Sequence, residues 1–242
     1  MIKGMSLTAL LVIAATVQSH GFLNVNLSGN TQYEGWESLT TANNPGYGTF
    51  PGASPWPAPI ASNSTGSAGN ASYNKVSGNG YPAGSSVYSP FTTTTYEVTS
   101  SSVISGIQTA VFQLDMGAGE GGILDSAPVF NYNGGSQALA ADFTAVTAGN
   151  FSFTNPIDPT QTGNTTNLVY EWDLSSIVDS ITSYEITWQT HAHSQTYGIQ
   201  LDTGDNFTVS AVPEPSVYAA GAGILALGVA WLRRKKISQQ SA

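Results

Sequence analysis

The chain has 242 residues, no cysteine and a formal net charge of −9, with only 9% of its residues charged. Without cysteine, disulfides cannot stabilise it, so burial and sheet hydrogen bonding must. Between Phe22 and Val212 stand 14 acidic residues and one lysine, Lys75, and that balance of −13 repels nucleic acid and anionic lipid.

Residues 1–19 have the pattern of a secretory signal peptide. Lys3 supplies the positive start, residues 7–17 are apolar, and Val17 and Ser19 fit a small-residue cleavage site after Ser19. The apolar run is too short to span a bilayer. Residues 20–211 then form the exported region, about the size of one β-sandwich.

In residues 22–27, Phe22, Asn24 and Asn26 alternate with Leu23, Val25 and Leu27, which predicts a strand with one buried face. Residues 33–39 predict a second short strand carrying Trp36. Residues 40–86 are dense in Gly, Pro, Ser and Asn, with four prolines around Trp56 and no hydrophobic period. They predict a long surface excursion. Long loops in compact domains are often functional, so the aromatic residues in or beside it, Trp36, Tyr47, Trp56 and Tyr81, are a candidate ligand surface for stacking on sugar rings.

Strand signals return at residue 87. Residues 88–98 are rich in Thr, Tyr and Phe. Residues 103–116 carry apolar side chains on both parities, as a central strand covered on both faces would. Residues 117–122 predict a turn. Residues 128–132 predict a strand ending in the Asn133-Gly134-Gly135 turn, with residues 137–147 pairing back across it. Residues 154–167 predict a loop. In residues 168–174, Leu168, Tyr170, Trp172 and Leu174 share one face; in 183–189, Tyr184, Ile186 and Trp188 do; in 197–201, Tyr197, Ile199 and Leu201 do. Residues 202–205 predict a turn and 207–211 a last strand. Roughly ten such strands without a soluble helix predict an all-β fold, an antiparallel β-sandwich of jelly-roll type.

Three groupings have residue types that carry chemistry. His191 and His193, two apart, would share a strand face as metal-ligating pairs do, with Asp173 or Asp202 to complete a site. Asp202 and Asp205, in an Asp-Thr-Gly-Asp-Asn run, offer the oxygen ligands Ca²⁺ takes, without the full twelve-residue loop. Glu171, Asp173 and Glu185 share an outward parity, as paired glycosidase carboxylates would, but they alternate with core residues as solvated faces do. No nucleophile elbow, zinc-protease helix or phosphate loop occurs. The expected protein is therefore non-enzymatic and without a bound cofactor, and metal ligation is the weaker reading at these positions. The remaining alternatives are a surface carbohydrate-binding module and, behind it, a secreted hydrolase.

The tail has three parts. Val212, Pro213, Glu214 and Pro215 form an extended stalk, since the prolines remove backbone donors. Residues 216–232 carry no charge, and as a helix they would span roughly 25 Å, close to one hydrocarbon core. Arg233, Arg234, Lys235 and Lys236 follow, and such a cluster stays cytoplasmic, as would the short tail 237–242. The three parts in this order resemble the PEP-CTERM protein-sorting signal of Gram-negative bacteria, over about 25 residues. The resemblance implies export by the general secretion machinery and transient anchoring in the inner membrane. It also implies recognition by an exosortase, a membrane cysteine protease-transpeptidase, with display at the cell surface, in the outer envelope or outside the cell, where extracellular polysaccharide is a further expected partner. Residues 170–174, 181–184 and 197–202 are similar to ectodomains found with such tails, which implies the same sandwich and no known activity.

Overall fold

The structure is a computed structural model that describes residues 21–52, 55–154, 158, 160 and 162–207. The expected signal peptide, the Pro-Glu-Pro stalk, the apolar tail run and the basic cluster lie outside the described residues. Within them there is no helix, and none is long and apolar enough to cross a membrane.

Thirteen strands follow in order: β1 (Thr31–Trp36), β2 (Ile60–Ala61), β3 (Ala71–Ser77), β4 (Tyr81–Pro82), β5 (Val87–Tyr88), β6 (Thr94–Ser100), β7 (Thr109–Gly117), β8 (Leu124–Tyr132), β9 (Leu139–Ala140), β10 (Phe143–Thr154), β11 (Thr162–Asp173), β12 (Tyr184–Thr190) and β13 (Gln195–Gly204). They make two antiparallel sheets. The seven-stranded sheet runs β10-β11-β7-β13-β5-β4, with β1 also on β13; the six-stranded sheet runs β2-β3-β6-β12-β8-β9. Their inner faces share one core, the arrangement of a β-sandwich.

The core is aromatic. Trp188 on β12 lies 5.1 Å from Phe112 on β7 across the gap between the sheets, and stacks at 5.9 Å on Tyr73 from β3. Phe130 lies 5.7 Å from Trp172. Such rings bury large areas and prefer offset contacts at these spacings, which makes them the main source of stability where disulfides are lacking. Two core indoles find backbone partners: the Trp36 N–H donates to Ile60 O at 2.8 Å, and that of Trp172 to Leu139 O at 2.9 Å.

The strand faces follow sequence alternation where one face meets the core. β6 and β12 alternate buried and half-buried residues without a break. β7 is buried at all nine positions, as its two-sided apolar pattern predicts, although the strand begins at Thr109 and not at residue 103.

Five expectations change. Residues 22–27 keep their alternation, with Leu23, Val25 and Leu27 half-buried, but form no ladder. They lie as a strap over the outer face of the seven-stranded sheet, packed on Val111 and Val169. The Gln113 side chain substitutes for a strand partner: its Oε1 accepts from Leu23 N at 2.8 Å and its Nε2 donates to Leu23 O at 3.0 Å. Within the expected excursion 40–86, β3 is a full member of the six-stranded sheet. Its inward positions are Ala71, Tyr73 and Lys75, and the charged Lys75 hid the period. After β9 the chain leaves its hairpin partner and crosses to the other sheet, where β10 pairs with β11 over much of the expected loop 154–167. A bulge between Thr196 and Gly198 moves Tyr197 out of register with Ile199, so its hydroxyl donates to Gln195 Oε1 at 2.8 Å instead of joining the core. Finally, Asp202, Thr203 and Gly204 are not a turn but the end of β13, paired with both β1 and β7. Phe207 lies in no strand, and 208–211 fall outside the described residues.

Candidate functional site

The aromatic ligand surface expected from sequence is not exposed. Trp36 is fully buried, and Trp56 and Tyr81 are buried. Tyr47 is half-buried, its ring 5.6 Å from that of Trp56. Trp56 donates its indole N–H to Gly80 O at 3.1 Å and lies 5.2 Å from Tyr73. These rings seal the core beneath the 40–86 segment and cannot offer a stacking platform to a sugar.

The expected metal ligands are not brought together either. β12 ends at Thr190, so His191 and His193 sit in a turn and not on one strand face. His191 Nδ1 is 3.6 Å from the Asp125 carboxylate, whereas His193 Nδ1 shares a hydrogen bond of 2.7 Å with the Tyr88 hydroxyl. Asp205 accepts from Asn30 N at 2.9 Å and from Asn30 Nδ2 at 2.7 Å. Asp202 accepts from Gln200 Nε2 at 2.7 Å on the outer face of β13, beside Val25 and Leu27 of the strap. Burial there pushes the Asp202 carboxyl up to about 7. No group of three or more His, Asp or Glu placed to hold a metal occurs among the described residues. Glu171 and Asp173 belong to β11, while Glu185 belongs to β12 of the other sheet, so the three do not share a face; Glu171 is also buried.

The site the structure does build is a cleft of about 330 Å³ on the outer face of the six-stranded sheet. Its floor is one register row across four strands: Ser72 on β3 faces Thr99 on β6, Thr99 faces Glu185 on β12, and Glu185 faces Asn131 on β8. Alternation puts these polar residues outward because Tyr73, Val98, Ile186 and Phe130 take the inward slots beside them. Thr187 Oγ1 donates to Glu185 Oε1 at 2.8 Å, which sets the carboxylate while leaving Oε2 open. Asn131 Oδ1 accepts from Ala138 N at 2.8 Å, which leaves its NH₂ group as the outward donor. Ser72 and Thr99 hydroxyls are 3.3 Å apart.

One rim is the turn at Asn133, Gly134 and Gly135. Asn133 and Gly134 both adopt positive φ, a region Asn tolerates and Gly enters freely. Asn133 also ties the turn to the segment before β12: its Oδ1 accepts from Thr182 N at 2.8 Å and its Nδ2 donates to Ser180 O at 2.8 Å. The opposite rim, at Asn70, depends on Glu34. This carboxylate is buried at an inward position of β1, where it accepts from Gln32 Nε2 at 2.9 Å, Gly69 N at 3.0 Å and Asn70 N at 3.0 Å, and from the Ser62 hydroxyl. Four donors compensate the desolvation of a buried charge.

Sequence reasoning missed Glu34, Gln113 and Lys75 as organisers. Lys75 Nζ donates to Gly52 O at 3.1 Å and Gly80 O at 2.8 Å, and lies 5.9 Å from the Trp56 ring centre. Burial lowers its pKa from the usual lysine range. The one available signal was its isolation, as the single lysine or arginine between Phe22 and Val212. Compared with models of protein families, with curated proteins and with solved structures, the chain matches none.

Proposed function

We propose that this chain is a non-enzymatic exported protein of the cell envelope or extracellular matrix, sorted through its C-terminal tail by exosortase recognition and processing. The observation that carries the reading is the order of three tail features: Pro213-Glu214-Pro215, the uncharged run 216–232, and Arg233, Arg234, Lys235 and Lys236. An apolar run followed at once by a basic cluster leaves the N-terminal bulk outside the cytoplasm. The signal-peptide pattern of residues 1–19 supports the same direction of travel. An all-β exported part of two antiparallel sheets suits life outside the cell, where burial and backbone pairing substitute for the missing disulfides. The order β1-β13-β7-β11 in one sheet and β6-β12-β8-β9 in the other supports reading that part as a jelly roll, with β10 and β3 as added flanking strands.

Intact-mass measurement of the protein recovered from the surface of its native cells tests the proposal. The expected mass lacks residues 1–19 and the run beginning at Ser216, with any attached group appearing as added mass near the Pro-Glu-Pro motif. A surface form that retains residues 216–242 would overturn it.

A further inference from the structure

We propose that the cleft on the six-stranded sheet is a binding site for a neutral saccharide, held through Glu185, Asn131 and Thr99. Three features of the cleft lead there. Its lining alternates kinds of hydrogen-bonding group: an acceptor at Glu185 Oε2, a donor at the Asn131 amide, and hydroxyls at Ser72 and Thr99 that can do either. Each of the first two already spends one bond on being positioned, Glu185 on Thr187 and Asn131 on Ala138, so the free atom is aimed before any ligand arrives. The row repeats at the interstrand spacing of about 4.8 Å, comparable to the breadth of a sugar ring.

Other ligand classes fit poorly. The cleft has no cationic side chain and one carboxylate, which disfavours phosphate, sulfate and acidic sugars. One carboxylate is also too few for Ca²⁺, which takes six to eight oxygen ligands. The four strands beneath the floor are paired on both sides, so a peptide finds no open strand edge, and the lining gives it no apolar anchor. A volume of about 330 Å³ lies at the small end of ligand pockets and accommodates one or two sugar units. A hydroxyl-rich, uncharged ring system is what remains. The cleft is lined only by residues between Asn70 and Glu185 and owes nothing to the tail, so failure of sugar binding would leave the sorting proposal standing.

The test is calorimetric titration of the full chain, held in a zwitterionic detergent that has no sugar head group. The probes are gluco-, manno- and galacto-oligosaccharides of two to four units, with an oligogalacturonate as the anionic control. At least one neutral series should bind, and Glu185→Ala and Asn131→Ala should each weaken it tenfold or more. Gln189→Ala, on the same face but outside the cleft, should leave affinity unchanged. Thr99→Val keeps the side-chain shape and should weaken binding several-fold, which keeps the test decisive if an alanine variant fails to fold. Silence from all three neutral series, equal binding of the oligogalacturonate, or an affinity indifferent to Glu185, Asn131 and Thr99 would overturn the proposal.

Discussion

The two outer faces of this sandwich are built on opposite terms. On the seven-stranded sheet, residues 21–28 lie over Val111 and Val169, and the polar residues among them, Gln113 and Asn167, are fully buried and bonded to the strap. On the six-stranded sheet, Ser72, Asn74, Glu97, Thr99, Glu185, Thr187 and Gln189 stand half-buried with none of the described segments over them, and bond mainly to one another. A polar residue under cover must satisfy its partners or destabilise the fold, whereas one in water can be spared. The covered face is therefore structural, and the bare one is where binding can be placed without unfolding anything.

The largest effect is expected from Gln113→Ala on the covered face. It strips the strap of both backbone partners at Leu23 and takes the Oε1 acceptor from the Asn167 amide, which donates to it at 3.0 Å. The expected loss is about 2–4 kcal/mol by denaturant unfolding, with early proteolytic cleavage within residues 21–28. An intact strap at full stability would show that apolar contact alone holds it.

A smaller effect is expected from Asp202→Asn under the same strap. Burial raises the folded-state pKa to about 7, above the ordinary 3.8 of an aspartate. Between about pH 4 and 7 the folded protein holds a proton that the unfolded chain has released, so this group's stabilisation is complete below that window and is lost as pH rises through 7. An asparagine at this position would carry no such dependence. The variant should be more stable than the parent above pH 7, by on the order of 1–3 kcal/mol, and the gap should close towards pH 4. Melting curves across that range decide it; a constant difference would mean that Asp202 titrates normally.

The smallest effect belongs to the bare face. Gln189→Ala removes a bond to Thr95 Oγ1 at 3.1 Å that water can replace, and stability should change by no more than about 0.5 kcal/mol in thermal melts. A cost comparable to that of Gln113→Ala would erase the distinction between the two faces.

Much of the architecture was legible from alternation. β12 falls where its alternation of buried and half-buried residues predicts, because a period of two reports directly on which side meets the core, whereas β11 begins inside the expected loop and breaks the period at Asn167, Leu168 and Val169, all buried. The same period is silent on other matters. It cannot say which sheet a strand joins, so Glu171 and Glu185 shared a parity yet lie on different sheets. It cannot distinguish a ladder from a strap, since Leu23, Val25 and Leu27 bury one side in either case. It is reversed by a bulge, as at Tyr197, and hidden when a charged residue fills an inward slot, as Lys75 does on β3. The cleft was not legible at all. Its floor takes one residue from each of four strands separated by as many as 113 positions in sequence (Ser72 to Glu185), and none of them belongs to a motif.

The strap also bears on when folding can finish. The Asn167 amide donates to Gly21 O across 146 positions, Leu23 meets Gln113 across 90, and Asn30 meets Asp205 across 175. Exported from its N-terminus as proposed, the chain would deliver these first residues long before their partners, and the earliest segment to arrive would be among the last to be placed. Contacts of such separation carry the full loop-closure cost before they return any stabilisation, which makes folding slow and leaves unpaired strands exposed meanwhile. An apolar tail that holds the last residues at the membrane would keep each molecule apart from its neighbours through that interval, so that the anchor would guard assembly as well as set the address.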